Sequence, residues 1–103
     1  MDYCKLEVAF GDKAQAEQAS KVLLDMKLIA ACQIIESESA WNWKGARENS
    51  KEYITFLITR KDKIDDVYRE IRKIHTYECF EFAGYELTSL NLDYLKWIDD
   101  EVE

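Results

Sequence analysis

The chain has 103 residues, 14 Lys and Arg against 21 Asp and Glu for a formal net charge of -7, and 48% hydrophobic residues. This length gives one domain spanning residues 1–103 with one core, and the composition is too apolar and too evenly mixed for a disordered chain. The acidic balance counts against nucleic acid as a partner, because phosphates need a cationic face and the basic residues here are dispersed.

No apolar run approaches the roughly 20 residues of a membrane span, and residues 1–5 (MDYCK) lack the cationic-then-apolar order of a signal peptide. A cytoplasmic protein with no membrane partner is expected. Cys4, Cys32 and Cys79 are odd in number and far apart, which indicates neither a disulfide framework nor a Cys-rich zinc site.

Leu6, Val8 and Phe10 alternate with Lys5, Glu7 and Ala9, the period of a strand with one buried face, and Gly11-Asp12 stops it. From Asp12 the period becomes helical, with Ala16, Ala19, Val22, Leu23 and Met26 on one side, and Asp12 is placed to cap the helix. Residues 29–43 read as one long strand, Lys44-Gly45 as a turn, and residues 51–59 as the returning strand of a hairpin. Thr59 and Asp62 have capping-box spacing ahead of a second helix striped by Ile64, Val67, Tyr68, Ile71, Ile74 and His75. Residues 80–90 give a fourth strand weakened by Gly84, and Asn91 caps a short last helix carrying Tyr94, Trp97 and Ile98. Asp99, Asp100, Glu101 and Glu103 sit at the unfavourable end of that helix dipole, so the tail is expected to fray.

The order strand, helix, strand, strand, helix, strand is the split βαβ arrangement. The expected fold is therefore α+β and ferredoxin-like, a four-stranded antiparallel sheet with both helices on one face, a long hairpin and a short C-terminal helix. At about 3.3 Å per residue, residues 29–43 would run roughly 50 Å, against a radius of gyration of about 13 Å for a globule of this size. The hairpin must bend or leave the body. Trp41 and Trp43 lie two apart on one of its faces and would be wet unless covered, either by another copy of the chain or by folding back over their own sheet.

Four blocks then resemble the CutA family of divalent-cation-tolerance proteins. Residues 28–32 (LIAAC) are similar to its second-strand block, residues 41–45 (WNWKG) to its hairpin tip, residues 75–78 (HTYE) to its His-Pro-Tyr-Glu, and residues 93–98 (DYLKWI) to its last helix. The resemblance implies a tight homotrimer, similar in build to PII-type signalling trimers, with Trp41, Trp43 and Trp97 at the trimer interface. It also implies a link to copper and other divalent cations without a catalytic reaction. In place of the family's two prolines the chain has Thr76 and Phe80, which makes the loop after the second helix less preset.

His75 is the only histidine, with Glu78, Cys79 and Glu81 within six residues. Imidazole, carboxylate and thiol suit Cu(II) or Zn(II), so His75, Glu81 and Cys79 are the candidate metal ligands, for a weakly bound ion rather than a required cofactor. The competing reading has His75 capping its helix with Glu78 and Glu81 solvated or ion-paired. Under either, replacing His75 by Ala should leave the fold intact. Fold-level analogy with PII-type trimers suggests a second site, a ligand cleft between subunits lined by Trp43, Lys44, Tyr53, His75, Glu78 and Tyr94.

Glu36 and Glu38 share one face of the long strand and Glu48 and Glu52 stand on its partner, either gathered around a cleft or forming a solvated face. No Ser-His-Asp order, Gly-rich phosphate loop or HExxH is present, so a binding protein is expected rather than an enzyme.

Overall fold

A computed structural model of the protein describes residues 2–103. Its elements are β1 (Tyr3–Phe10), α1 (Lys13–Asp25), β2 (Ala31–Trp43), β3 (Ala46–Arg60), a 3₁₀ turn (Lys61–Lys63), α2 (Ile64–Ile74), β4 (Phe82–Glu86) and α3 (Leu92–Glu101). The strands form one antiparallel sheet in the order β2-β3-β1-β4, the expected ferredoxin-like arrangement.

Alternation along β1 decides the two faces. Cys4, Leu6, Val8 and Phe10 point to one side, where Leu57 of β3, Ala16, Ala19 and Leu23 of α1, and Val67 and Ile71 of α2 close a core with no exposed member. Burying each Leu, Ile, Val or Phe side chain there contributes about 1.5–3 kcal/mol. The expectation of helices on one face holds for α1 and α2 only. α3 packs on the opposite face, where Ile98 and Val102 meet Ala30, Ile58 and Tyr3. The rest of that second face is open, leaving Ile35 and Tyr85 each 52% exposed beside half-buried Ile54 and Phe56.

The Asp12 cap forms as read, its carboxylate accepting from the Ala14 amide at 2.8 Å. The Thr59 capping box does not form. Thr59 lies inside β3 and donates its hydroxyl to the Leu28 carbonyl at 2.6 Å, while the 3₁₀ turn leads into α2 with Arg60 paired to Asp62. Asn91 occupies the N-cap position of α3 but makes no side-chain capping bond. β3 begins five residues earlier than its apolar run, because polar residues 46–50 continue the pairing up to Trp43↔Ala46 at the hairpin tip. Lys44 and Gly45 both have positive φ, +49° and +84°, the conformation that tight two-residue hairpin turns require.

The C-terminal tail does not hang free as its charges suggest. Val102 is buried and accepts from Arg60 through its carbonyl, Tyr3 donates to Asp99, and the Glu103 amide donates to the Lys27 carbonyl at 3.0 Å. Among the described residues no helix is long and apolar enough to cross a membrane.

Candidate functional site: an acidic cleft under the hairpin

The 13-residue β2 strand covers, at about 3.3 Å per residue, nearly all of the molecule's 45 Å long axis. The outer part of the ribbon runs past the end of β1, whose pairing with β3 stops at Phe10↔Tyr53 while β2 and β3 continue together to Trp43↔Ala46. At the tip, Lys44 Nζ comes within 3.5 Å of Glu78 in the loop between α2 and β4, and the ribbon thereby encloses a cleft of about 1230 Å³ over that loop.

The floor of the cleft is set by the end of α2. His75 caps the helix through its amide, which donates to the Ile71 carbonyl, and its ring stacks between Phe10 at 4.6 Å and Phe80 at 4.3 Å. Nε2 lies 2.6 Å from the Ala9 carbonyl, and the Tyr77 amide donates to Nδ1 at 3.2 Å. A carbonyl only accepts and an amide N–H only donates, so these partners select the neutral tautomer with the proton on Nε2. Burial lowers the pKa of the ring below its ordinary value, and the Arg72 charge adds to that, against the Ala9 hydrogen bond.

Arg72 holds the loop itself. It donates to the carbonyls of His75 and Tyr77 at 3.2 and 2.8 Å, and its guanidinium lies 4.7 Å over the Phe80 ring. The loop that lacks two prolines is thus preset by an Arg clamp and a ring stack. Tyr77 crosses to Gly11, where its hydroxyl occupies the space a Cβ would need.

Glu38, Glu48, Glu52, Glu78 and Glu81 all line the cleft, and among the described residues lining it none is Lys or Arg. Trp41, Trp43, Tyr77 and Phe80 supply its aromatic surface. Glu52 is only 8% exposed, yet its carboxyl has no hydrogen-bond or ion-pair partner among the described residues. Its negative charge is felt by His75, Tyr77 and Glu81.

At one edge, the Glu81 carboxyl is hydrogen-bonded to Glu7, and the Tyr85 hydroxyl donates to Glu7 Oε1 at 2.8 Å. Burial, the Glu7 bond and the negative charges of Glu7 and Glu52 push Glu81 up to about 7, while the bonds from Glu81 and Tyr85 hold Glu7 low. The opposite shifts are those of a carboxyl pair in which Glu81 binds a proton more readily than Glu7 does.

Of the residues anticipated for a ligand cleft, Trp43 and Glu78 line this one, together with Trp41, and Lys44 stands at its tip. Tyr53 does not belong to it, because it lies on the helix-covered side of the sheet against the core. Tyr94 does not either, since it sits on α3 and stacks with Trp97, which is 39% exposed, and neither lines the cleft.

The expected metal trio is only partly assembled. Cys79 and Glu81 line the cleft, but both ring nitrogens of His75 are occupied, and among the described residues no three His, Cys, Asp or Glu side chains converge as ligands. Of the acidic residues on the ribbon, Glu36 pairs with Lys51 at 2.8 Å, whereas Glu48 and Glu52 face the cleft. The sequence reading did not single out Glu7, Tyr85 or Tyr77. A carboxylate in the middle of the most apolar strand was the available signal for Glu7.

Fold and site together define a ferredoxin-like α+β domain with an acidic, aromatic-walled cleft. Residues 5–101 match the family described as CutA1 divalent ion tolerance protein, and the chain belongs to that family. The divalent-cation tolerance protein CutA of Pyrococcus horikoshii is 32% identical over 94 residues, covering 91% of this chain and 92% of that protein. Among solved structures, the periplasmic divalent cation tolerance protein CutA of Archaeoglobus fulgidus superposes with a TM-score of 0.95 at 27% identity, over 98% of this chain and 99% of that one. CutA1 of Pyrococcus horikoshii superposes with a TM-score of 0.92 at 29% identity, over 97% and 98%.

Proposed function

We propose that this protein acts in divalent-cation tolerance as a cytoplasmic, non-catalytic homotrimer that binds Cu(II) or Zn(II) weakly and requires no resident cofactor. The cellular role is supported by relatives named for divalent-cation tolerance along nearly the whole chain. The observation that carries the ion binding is the cleft lining, five carboxylates and Cys79 with no cationic side chain among the described residues. With His75 engaged in the fold, Cys79 and Glu81 are the members of the expected trio that line the cleft, and water supplies the rest of the ion's shell, which makes the site weak.

Assembly is supported by the open sheet face, where Ile35 and Tyr85 are exposed beside Phe56, and by the 38% exposure of Trp43 at the ribbon tip. A location in the cytoplasm is supported by three free thiols, one buried, one half-buried and one exposed. The specific observation favouring a second reading, a small-ligand binding or signalling trimer in which metal is incidental, is the aromatic wall of the cleft.

Light scattering with and without EDTA tests the assembly, and a mass of three chains in both conditions is the expected result. A single-chain mass would refute it. Titration with Zn(II) to tens of micromolar should move the backbone resonances of residues 78–81, and Cys79→Ser should abolish that response. Unmoved resonances would end the metal reading of this cleft.

A further inference from the structure

We propose that His75 is a pH-operated latch: a proton taken up at Nδ1 releases the Tyr77 amide and frees residues 76–79 of the loop between α2 and β4. The hydrogen bonds of the ring carry the argument. Nε2–H donates to the Ala9 carbonyl at 2.6 Å, and Nδ1, the one ring atom able to accept, takes the Tyr77 amide at 3.2 Å. An imidazolium has two donors and no acceptor, so protonation sets Nδ1–H against an amide N–H. One of the two must move.

The surroundings decide that the loop moves and the ring stays. The ring is 5% exposed and stacked between Phe10 and Phe80, and a positive charge strengthens its bond to the Ala9 carbonyl. On the loop side the charge acts the other way. Arg72, which clamps the carbonyls of His75 and Tyr77, then faces a second cation beside it. The remaining polar tie of the segment to the hairpin tip is the exposed pair of Glu78 with Lys44, which is worth little on its own. Phe80, held by its stack on Tyr68, marks where the freed segment ends.

The groups facing the ring set where the latch works. Burial and Arg72 on α2 disfavour the charged ring, and Glu52 on β3 favours it. Tyr77, its hydroxyl held above the usual 10 by burial, stays neutral, and β1 contributes the uncharged Ala9 carbonyl and Phe10 ring. The closed ring therefore titrates below 6.5. Water reaching Nδ1 after release restores its proton affinity. The closed loop is thus favoured above 6.5 and gives way, by up to about tenfold per pH unit, as pH falls toward the pKa of the closed ring. The latch needs no metal ion and stands apart from the ion-binding reading.

The test is nuclear magnetic resonance on the intact, metal-free protein from pH 8 to pH 5. Long-range ¹H–¹⁵N spectra read the tautomer and titration of the ring, and backbone ¹⁵N relaxation reads the loop. At pH 8 the Nε2–H tautomer is expected, with order parameters of about 0.85 along residues 76–79. As the ring titrates these should fall below about 0.6, while β1 and β3 keep theirs. His75→Gln, whose side chain donates and accepts without titrating, should hold the loop rigid throughout.

An Nδ1–H ring at pH 8, a ring still neutral at pH 5, or a loop that stays rigid through the titration would overturn the proposal. So would an equal loosening in His75→Gln. Strand signals lost together with the loop would also overturn it, because the whole fold would then be answering to pH. Should His75→Gln fail to fold, the wild-type ring and loop still decide.

Discussion

Replacing His75 by Ala tests whether the cleft floor is structural. The imidazole is 5% exposed between two rings, so its loss removes stacking worth about 0.5–1.5 kcal/mol with each of Phe10 and Phe80 and opens a cavity beneath the loop. It also removes the donor used by the Ala9 carbonyl and the acceptor used by the Tyr77 amide, at about 1 kcal/mol or more for a buried group left unpaired. Together these predict a loss of about 3 kcal/mol, against the intact fold that the sequence suggested.

The pH dependence supplies a second arm. The folded pKa is depressed below 6.5, so below that value the unfolded chain takes up a proton that the folded ring refuses. The stability that the neutral ring contributes is full above 6.5 and is lost as pH falls toward the folded pKa. The gap between wild type and His75→Ala should therefore narrow from pH 8 to pH 5. Urea denaturation at equal protomer concentration, which fixes any contribution from assembly, measures both. A gap under about 1 kcal/mol at pH 8, or one that widens on acidification, would refute the reasoning.

Glu81 carries the opposite dependence. With its folded pKa raised from 4.5 to about 7, ionising it costs stability progressively over that interval, so Glu81→Gln should be stabilised relative to wild type at pH 8 and not at pH 5. Because the residue is exposed to solvent, screening reduces the gain to about 1 kcal/mol, and thermal or urea unfolding at the two pH values reads it. Deleting residues 102–103 removes a buried Val and the bonds to Arg60 and Lys27, and should cost about 2 kcal/mol by urea unfolding. Hydrogen exchange at the Glu103 amide of the intact protein should be slow, and exchange at the rate of an unstructured peptide would contradict the docked tail.

What the sequence made legible is what local periodicity encodes. Period-2 alternation in β1 and the 3.6 period of α1 and α2 identify the core face, and Val67, Ile71, Leu6, Val8 and Phe10 are all buried on it. Capping was less legible, because a Thr hydroxyl serves a distant carbonyl as readily as a nearby amide. Thr59 is taken by Leu28, which lies 31 residues away in the chain. The tail misled for the same reason, its charges being local and its anchor on Lys27 and Arg60 not.

The cleft lies at the limit of such reading. Glu48 and Glu52 alternate on β3 as solvated residues would, and only the approach of the hairpin tip to the loop after α2, where Lys44 meets Glu78, sets them along a cleft. Likewise His75 looked available as a ligand because Phe10 and Phe80, which enclose its ring, are remote in sequence from each other.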